Sequence, residues 1–379
     1  MPNSESPNRK LIGQAGSRWD LLTPALILDL DVLEANIKAM ADWAKQGGVA
    51  LRPHGKSHKS PDIARRQIAA GAVGLCCASL REAQVMAAHD ISGLLITTPL
   101  APGKASLVAD LVKNGGDVAV VADHSDLVAA YGAAAAERGV ELEIFVDLDV
   151  GLGRTGTPSA QVAIELAGQV SAHPSLTYGG VQGYMGHLQH VDDQGERRRR
   201  LDGDTRDLQG MIEALIKANL PPAVVTGGGT GTHRLDAEYG AFGEFQAGSY
   251  LFMDVQYISV EQGAAGAQPY GIALFVQTSV VNINHPAYAV TDAGLKSFAT
   301  DGPKPLIARG APSGASYRYM GDEHGAIDFA DSSHNLALGA KVECVTPHCD
   351  PNVNLYDFYH VVRDDTLVEI WPVAARGNS

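Results

Sequence analysis

The chain has 379 residues, and its 29 Lys and Arg against 43 Asp and Glu give a formal net charge of −14. This balance argues against a protein that binds nucleic acid or an anionic membrane through a basic surface. A hydrophobic fraction of 45% with only 19% charged residues excludes a disordered chain, and the length predicts one barrel or about two smaller domains.

The first predicted elements are a strand at Ala25–Leu30 and a helix at Val32–Lys45, which Asp31 caps and Gly47-Gly48 ends. Strand-like and helical segments then alternate. The strand-like runs lie at about 49–55, 73–77, 93–98, 117–122, 142–150, 177–184, 223–227 and 243–250. The helical segments between them are Ser60–Ala70, Ser79–His89, Leu107–Lys113, Ser125–Arg138, Ala160–Ser171 and Asp192–Asn219. Eight such units fit a parallel (β/α)8 (TIM) barrel, with a doubly wound open sheet as the alternative.

The sequence changes character near Pro269, where segments rich in Val, Ile, Tyr and Phe follow one another without clear helices between them. These segments are Ile272–Asn284, Tyr288–Thr291, Ser316–Met320, Lys341–Val345 and Tyr356–Val362. This composition predicts an antiparallel β domain. We place the barrel at 32–266 and the β domain at 1–31 and 267–379, so that the strand at Ala25–Leu30 joins the β domain.

The amino terminus has no apolar segment of the kind found in signal peptides, and no apolar run reaches the roughly 20 residues of a membrane span. Four cysteines are present, and the adjacent pair Cys76 and Cys77 is a poor start for a disulfide framework. We therefore expect a cytoplasmic protein.

The first barrel strand continues into Arg52-Pro53-His54-Gly55-Lys56. Alternation along a strand would place Arg52, His54 and Lys56 on one face, and three basic groups inside a barrel require an anionic partner. Lys56 lies at the carboxyl end, where barrel enzymes place their active sites. Burial near other cations would lower its pKa and make it a nucleophile. The alternative is a lysine that simply reaches solvent.

Two glycine-rich segments follow the seventh and eighth strands, at Thr226–Gly231 and at Gln246–Tyr250. Backbone N–H groups and hydroxyls in such loops can bind a phosphate, and barrels often hold phosphate at this place. A glycine run can equally form a simple turn. A reactive lysine opposite a phosphate site favours pyridoxal phosphate (PLP) attached to Lys56.

A third motif is His348-Cys349-Asp350-Pro351. On an extended backbone His348 and Asp350 would point the same way and form half of a divalent metal site, while Cys349 would pack on the other side. The alternative is a pair of ordinary loop residues. Further polar candidates lie near strand ends: Arg154, Gln182, Tyr184, His187, Gln189, His190, Asp292, Lys296, Asp322, Glu323 and His324.

Taken together, these motifs resemble the D-threonine aldolases, which belong to the D-serine dehydratase-like group of PLP enzymes with the alanine racemase fold. The resemblance runs in order from Thr23 to Gly377. It rests on Arg52–Lys59, Thr226–Gly231, Leu251–Asp254, Asp292–Ser297, Asp322–Gly325 and His348–Pro351. The sister family of 3-hydroxy-D-aspartate aldolases has a very similar motif set.

The resemblance implies a PLP-binding barrel, a β domain that carries the metal site, and PLP on Lys56. It places Arg154 beside the phenolic oxygen of the cofactor and His190 as the base near the substrate hydroxyl. The other expected cofactor-binding residues are His54, Gln182, Tyr184, Thr226, Gly228, Gly229, Thr230, Gly248, Ser249 and Tyr250. A divalent cation is expected on His348 and Asp350. By the same resemblance, the related dehydratases carry a His-x-Cys motif at this place. The carboxylate of Asp350 instead suits Mn²⁺ or Mg²⁺, with Zn²⁺ as the alternative.

The activity that the resemblance implies is reversible cleavage of a D-threonine-like β-hydroxy-D-amino acid to glycine and an aldehyde, by a homodimer. The alternatives are a 3-hydroxy-D-aspartate aldolase and a dehydratase of D-serine or D-threo-3-hydroxyaspartate. A racemase would need acid–base groups on both faces of the cofactor ring. A PLP-binding carrier protein, which is no enzyme, would resemble the barrel alone.

Overall fold

Eight parallel strands form a sheet that closes on itself. The structure is a computed structural model that describes residues 5–261, 268–331 and 336–377. A bridge between His54 and Cys76 joins the first strand to the second along the chain and closes the barrel. The strands pair in the order β2-β9-β8-β7-β6-β5-β4-β3. They are β2 (Ala50–Leu51), β3 (Leu75–Cys77), β4 (Leu94–Ile96), β5 (Val118–Ala122), β6 (Leu142–Leu148), β7 (Leu176–Gly183), β8 (Val224–Gly227) and β9 (Glu244–Phe245).

Helices follow the barrel strands, and their apolar faces pack inward. The first helix buries Leu33, Ile37 and Met40 on one face and ends at Gly48, whose φ of 65° suits glycine. Its N-cap is Asp29 rather than the predicted Asp31. The helices are α1 (Leu30–Gly47), α2 (Pro61–Ala69), α3 (Leu80–Ala87), α4 (Ala105–Lys113), α5 (Ser125–Arg138), α6 (Ala160–Ala172), α7 (Gln194–Lys217), α8 (His233–Tyr239) and α9 (Val255–Ile258).

A second, mainly antiparallel sheet contains nine strands in the described residues. The amino-terminal strand lies inside it, antiparallel to β10 and parallel to β16. The long strand β10 pairs with β15 near its start and with β11 near its end. The elements of this sheet are β1 (Ala25–Asp29), β10 (Leu274–His285), β11 (Tyr288–Thr291), β12 (Leu306–Arg309), β13 (Ser316–Tyr319), β14 (Gly325–Asp328), β15 (Lys341–Val345), α10 (Cys349–Val353), β16 (Phe358–Arg363) and β17 (Thr366–Pro372).

The predicted fold class, a barrel with an antiparallel sheet that includes the amino-terminal strand, is therefore confirmed. The doubly wound alternative is wrong because the bridge between His54 and Cys76 closes the sheet. Three strands of the second sheet, β12, β14 and β17, and the short helix α10 were not predicted. The domain boundaries stay a prediction, and the boundary at 266–267 lies outside the described residues.

The anionic partner that Arg52 requires is Glu244, a nearly fully buried residue of β9. Arg52 Nε donates to Glu244 Oε1 over 3.0 Å, and Arg52 also donates to the carbonyl of Gly93. Arg52 directly follows β2, and Glu244 is the first residue of β9. The protein itself therefore supplies the anion that Arg52 requires.

No helix in the described segments has both the length and the apolar composition that crossing a membrane requires. The longest one, α7, carries charged residues along much of its length. All four cysteines are buried and free.

Candidate active site

A cavity of about 270 Å³ lies at the carboxyl ends of the barrel strands. Every residue expected to act in catalysis or to bind the cofactor or metal lines it, except Thr226 and Tyr250. Its lining residues are His54, Lys56, Ala78, Thr97, Thr98, Arg154, Gln182, Tyr184, His190, Gly228, Gly229, Thr230, Gln246, Gly248, Ser249, Tyr257, His348 and Asp350.

Lys56 lies in a 3-10 turn at Gly55–Ser57 rather than on a strand. Its Nζ is 3.4 Å from Asp350 Oδ2. Burial lowers the pKa of this lysine, but the nearby Asp350 carboxylate outweighs burial and leaves the pKa above its ordinary value. The predicted lowering of the Lys56 pKa is therefore wrong for the unmodified side chain, because sequence spacing gave no sign that Asp350 would lie beside it.

His54 connects the Lys56 turn to the residues that follow β4. Its Nε2 is hydrogen-bonded to Thr97 Oγ1 over 3.1 Å, and its Nδ1 accepts from the Lys56 N–H over 3.4 Å. Burial and the charge of Lys56 hold the pKa of His54 well below its ordinary value. The imidazole is therefore neutral beside the lysine.

The glycine-rich segment after β8 bends tightly into the cavity and packs on the loop that carries His190. Gly228 has a φ of +68°, which favours glycine. A Cβ on Gly231 would lie 1.9 Å from the carbonyl oxygen of Gln189, so only glycine allows this approach. Within the described chain, the backbone N–H groups of Gly228, Gly229 and Ser249 donate to no protein group. They form a set of free donors along one wall of the cavity.

Thr226 and Tyr250 lie behind this wall. Gln246 Nε2 donates to Thr226 Oγ1 over 3.0 Å. The Tyr250 hydroxyl accepts from Gln67 Nε2 over 3.0 Å, while the Tyr250 N–H donates to Thr230 Oγ1 over 3.0 Å. The structure thus places both residues where they support the predicted phosphate loops.

Polar residues from β6 and β7 form the floor of the cavity. Gln182 Nε2 donates to Asp147 Oδ1 over 2.8 Å and to the Thr97 carbonyl over 2.9 Å. The Arg154 guanidinium carbon lies 5.6 Å from the centre of the Tyr184 ring. Arg154, Gln182 and Tyr184, which were candidates because of their places near strand ends, therefore all line the cavity.

His348 and Asp350 both face the cavity, but the backbone between them is not extended throughout. His348 is extended, with φ −145° and ψ 121°, and α10 then begins at Cys349. The prediction that the backbone is extended from His348 to Asp350 is wrong, because α10 begins at Cys349. His348 Nδ1 is hydrogen-bonded to Asp301 Oδ2 over 2.7 Å, which leaves Nε2 as its free ring nitrogen.

His348 and Asp350 supply two protein ligands, which is fewer than a complete metal site needs. The described residues contain no group of three or more His, Cys, Asp or Glu that could hold a metal ion. Cys349 is buried, and burial raises the pKa of its thiol well above the ordinary value. The thiol is buried, as expected, but it donates to Asp350 Oδ1 over 3.3 Å and so does not pack away from the pair.

His190 lies next to the pair. Its ring centre is 6.4 Å from that of His348 and 4.5 Å from that of Tyr257. Partial desolvation in the cavity, with the nearby His348 and Lys56, lowers the pKa of His190, although the residue keeps an exposed side. A neutral imidazole in this position can accept a proton near neutral pH.

Several other polar candidates lie outside the cavity. His187 pairs with Asp204 of α7 over 2.8 Å. Lys296 pairs with Glu323 over 2.5 Å at the exposed surface. Asp292 accepts hydrogen bonds within the second sheet, including one from Thr278 Oγ1 over 2.6 Å.

Sequence reasoning missed five lining residues and the partner of His348. Thr97-Thr98 directly follows β4, so a polar pair at a strand end was an available signal. Tyr257 and Asp301 follow no such pattern, because both depend on how the second sheet packs on the barrel. The missed residues are Ala78, Thr97, Thr98, Gln246, Tyr257 and Asp301.

Comparisons with known proteins agree with this arrangement. A family model described as alanine racemase, N-terminal domain, matches residues 28–256, and one described as putative serine dehydratase domain matches residues 273–362. The 3-hydroxy-D-aspartate aldolase of Paracoccus denitrificans (strain Pd 1222) is 38% identical over 363 residues, which cover 94% of this chain and 93% of that protein.

Two further similar proteins are D-threonine aldolases. The D-threonine aldolase of Arthrobacter sp. is 36% identical, over 94% of this chain and 93% of that protein. The crystal structure of D-threonine aldolase from Filomicrobium marinum, also 36% identical, superposes with a TM-score of 0.91 over 95% of this chain and 97% of that one. The chain therefore belongs to the PLP enzymes of the alanine racemase fold, in the group of the D-threonine aldolases and 3-hydroxy-D-aspartate aldolases.

Proposed function

We propose that this chain is a PLP- and divalent-metal-dependent aldolase that cleaves D-threonine-like β-hydroxy-D-amino acids reversibly to glycine and an aldehyde. One observation carries the proposal: a single cavity holds the amine of Lys56, the imidazole of His190 and the pair His348 and Asp350. A β-hydroxy-D-amino acid presents an amine and a β-hydroxyl a few bonds apart. The lysine side of the cavity suits the amine, and the histidine–carboxylate side suits the hydroxyl.

The residues present fit PLP. Lys56 supplies the amine that would hold it, and the free N–H groups of Gly228, Gly229 and Ser249 suit its phosphate. Arg154 and Tyr184 lie where they can hold the ring. When bound, PLP supplies an electron sink for the pair released by a breaking Cα–Cβ bond. The family match at residues 28–256 supports this cofactor.

The pair His348 and Asp350 fits a divalent cation that takes its remaining ligands from water or substrate. Its one imidazole and one carboxylate suit Mn²⁺ or Mg²⁺, with Zn²⁺ as the alternative. Asp301 holds the Nδ1 side of His348, so Nε2 is available. Such a cation would lower the pKa of the substrate β-hydroxyl.

His190 is the proposed general base. Partial desolvation in the cavity lowers its pKa, so the imidazole is neutral and can take the proton from the β-oxygen. Lys56 Nζ is the proposed group that returns a proton to Cα of the glycine product. Both groups belong to the barrel, whereas His348 and Asp350 belong to the segment after β15.

A second candidate substrate is 3-hydroxy-D-aspartate, which the 38% identity to the Paracoccus enzyme favours. It would follow the same bond cleavage and give glycine and glyoxylate. A dehydratase would instead break Cα–H and release ammonia with a 2-oxo acid. Asp350 is the residue that argues for cleavage of the carbon–carbon bond.

Product analysis tests the proposal. The protein is incubated with PLP and Mn²⁺ and, separately, with D-threonine, D-serine and 3-hydroxy-D-aspartate. We expect glycine with an aldehyde and no ammonia, and the relative rates assign the substrate. Ammonia with a 2-oxo acid would overturn the proposal in favour of a dehydratase, and undiminished turnover after exhaustive chelation would overturn the role of the metal.

A variant at Lys56, the proposed attachment site of PLP, is the control for the role of the cofactor. We expect Lys56→Ala to lose both the visible absorbance of lysine-bound PLP and the formation of glycine. A Lys56→Ala protein that keeps both would refute the assignment of Lys56.

A further inference from the structure

Tyr257 is a largely buried residue of the cavity wall, and its hydroxyl has no role in the assignment above. Tyr257 lines the cavity, and only 5% of the residue is exposed. No group in the described residues forms a hydrogen bond with its hydroxyl. The oxygen is also not among the side-chain atoms that are buried without a partner, so it is open to the cavity and can meet a ligand there.

The neighbours of Tyr257 locate its hydroxyl on the His190 side of the cavity. The two rings lie 4.5 Å apart between centres with a tilt of 51°. Burial raises the pKa of Tyr257 well above its ordinary value, and Tyr184, Asp254 and Asp350 raise it further. The hydroxyl therefore keeps its proton and can donate a hydrogen bond.

A buried carboxylate fixes Tyr257 relative to the proposed metal pair. Asp254 Oδ1 accepts from the Tyr257 N–H over 3.0 Å, and Asp254 Oδ2 accepts from the Cys349 N–H over 2.8 Å. Cys349 lies between His348 and Asp350 in the sequence. One side chain thus ties the tyrosine to the turn that carries both proposed ligands.

We infer that Tyr257 is a further substrate-binding residue, whose hydroxyl donates a hydrogen bond to the β-oxygen of the substrate. The inference rests on the proposed function, which assigns this side of the cavity to the β-oxygen. His190 takes the proton of that oxygen, and the oxygen gains negative charge before the Cα–Cβ bond breaks. A donor beside it stabilises this charge more than it stabilises the neutral hydroxyl.

The variant Tyr257→Phe removes only the hydroxyl and keeps the ring against His190. Binding is measured in the metal-depleted, PLP-loaded enzyme, from the change in visible absorbance with D-threonine and with D-alanine, which has no β-oxygen. The hydrogen bond predicts that the Kd of D-threonine rises about 2- to 12-fold, as expected for 0.5–1.5 kcal/mol. The Kd of D-alanine stays within about twofold.

Turnover gives a second readout. Because a hydrogen bond to a charged oxygen contributes about 1.5–3 kcal/mol, kcat/KM for D-threonine with Mn²⁺ falls about 10- to 150-fold. The control Tyr131→Phe alters another buried tyrosine, in α5 and outside the cavity, and leaves both values unchanged.

Two results would overturn the inference. An unchanged Kd for D-threonine would show that the hydroxyl makes no bond to it. An equal loss with D-alanine would show that the hydroxyl contacts a group common to both ligands. The proposed function fails separately, if the wild-type enzyme forms no glycine from D-threonine or 3-hydroxy-D-aspartate.

Discussion

Removal of the Asp301 carboxylate is the perturbation that most directly tests the proposed metal pair. Asp301 Oδ2 lies 2.7 Å from His348 Nδ1 and is the group that orients this imidazole. It holds the proton on Nδ1 and so keeps Nε2 free as a ligand. Asp301 itself does not line the cavity, so its loss removes no direct ligand.

The size of the effect follows from the exposure of Asp301. Loss of a partner that orients a ligating histidine typically lowers metal affinity about 10- to 100-fold. The Asp301 side chain is 51% exposed, and water can partly replace it, so we expect the lower end of that range. Asp301→Ala should raise the Kd for Mn²⁺ about 10-fold, and Asp301→Asn only about 3-fold because its amide oxygen still accepts from Nδ1–H.

The assay is titration of the purified, PLP-loaded enzyme with Mn²⁺, in which electron paramagnetic resonance reports the free ion. At saturating Mn²⁺, kcat for D-threonine should stay within about twofold of wild type, since the ligands themselves remain. The control is Asp126→Ala, which breaks an exposed contact of 3.7 Å between Asp126 of α5 and His124, the N-cap of that helix, and should leave the Kd unchanged.

An unchanged Kd for Mn²⁺ in Asp301→Ala would refute the reasoning. So would a large loss of kcat that saturating Mn²⁺ does not restore, because it would give Asp301 a part in the reaction itself.

Three further changes test other parts of the structure. His190→Gln should lower kcat about 10²- to 10⁴-fold with little change in KM, as expected for a lost general base; steady-state assays of glycine formation check this, and a loss below tenfold contradicts it. Glu244→Gln leaves the Arg52 charge buried without its partner at 3.0 Å and should cost about 3 kcal/mol in the free energy of unfolding; an unchanged urea midpoint would count against it. Burial raises the pKa of Asp236, which accepts from Thr232, from 3.8 to about 7. The folded state therefore holds a proton that the unfolded state has lost, and this stabilisation disappears as pH rises from about 4 toward 7. Between pH 5 and 8 the wild type should lose on the order of 2 kcal/mol more stability than Asp236→Asn, and equal losses in urea unfolding would disprove the linkage.

The local sequence determines most of the secondary structure of the barrel, because each segment has the hydrophobic periodicity of a strand or of a helix. The eight barrel strands and the helices up to α7 lie close to their predicted places, and α5 matches its predicted range. Lys56, Arg154, Gln182 and Tyr184 could be predicted because each lies at or just past a strand end, and parallel strands bring those ends together. The short strands β12, β14 and β17 escaped prediction, since pairing with neighbours rather than their own pattern defines them.

Only the tertiary structure decided which groups face each other across the cavity. No spacing in the sequence brings Asp350 to within 3.4 Å of Lys56 or Asp301 to His348. The contact with Asp350 reverses the expected shift in the Lys56 pKa. Tyr257 enters the cavity because Asp254 binds two N–H groups from segments about 90 residues apart. Local patterns fix which side chains point inward, whereas the charge around each one depends on the packing of the second sheet against the barrel.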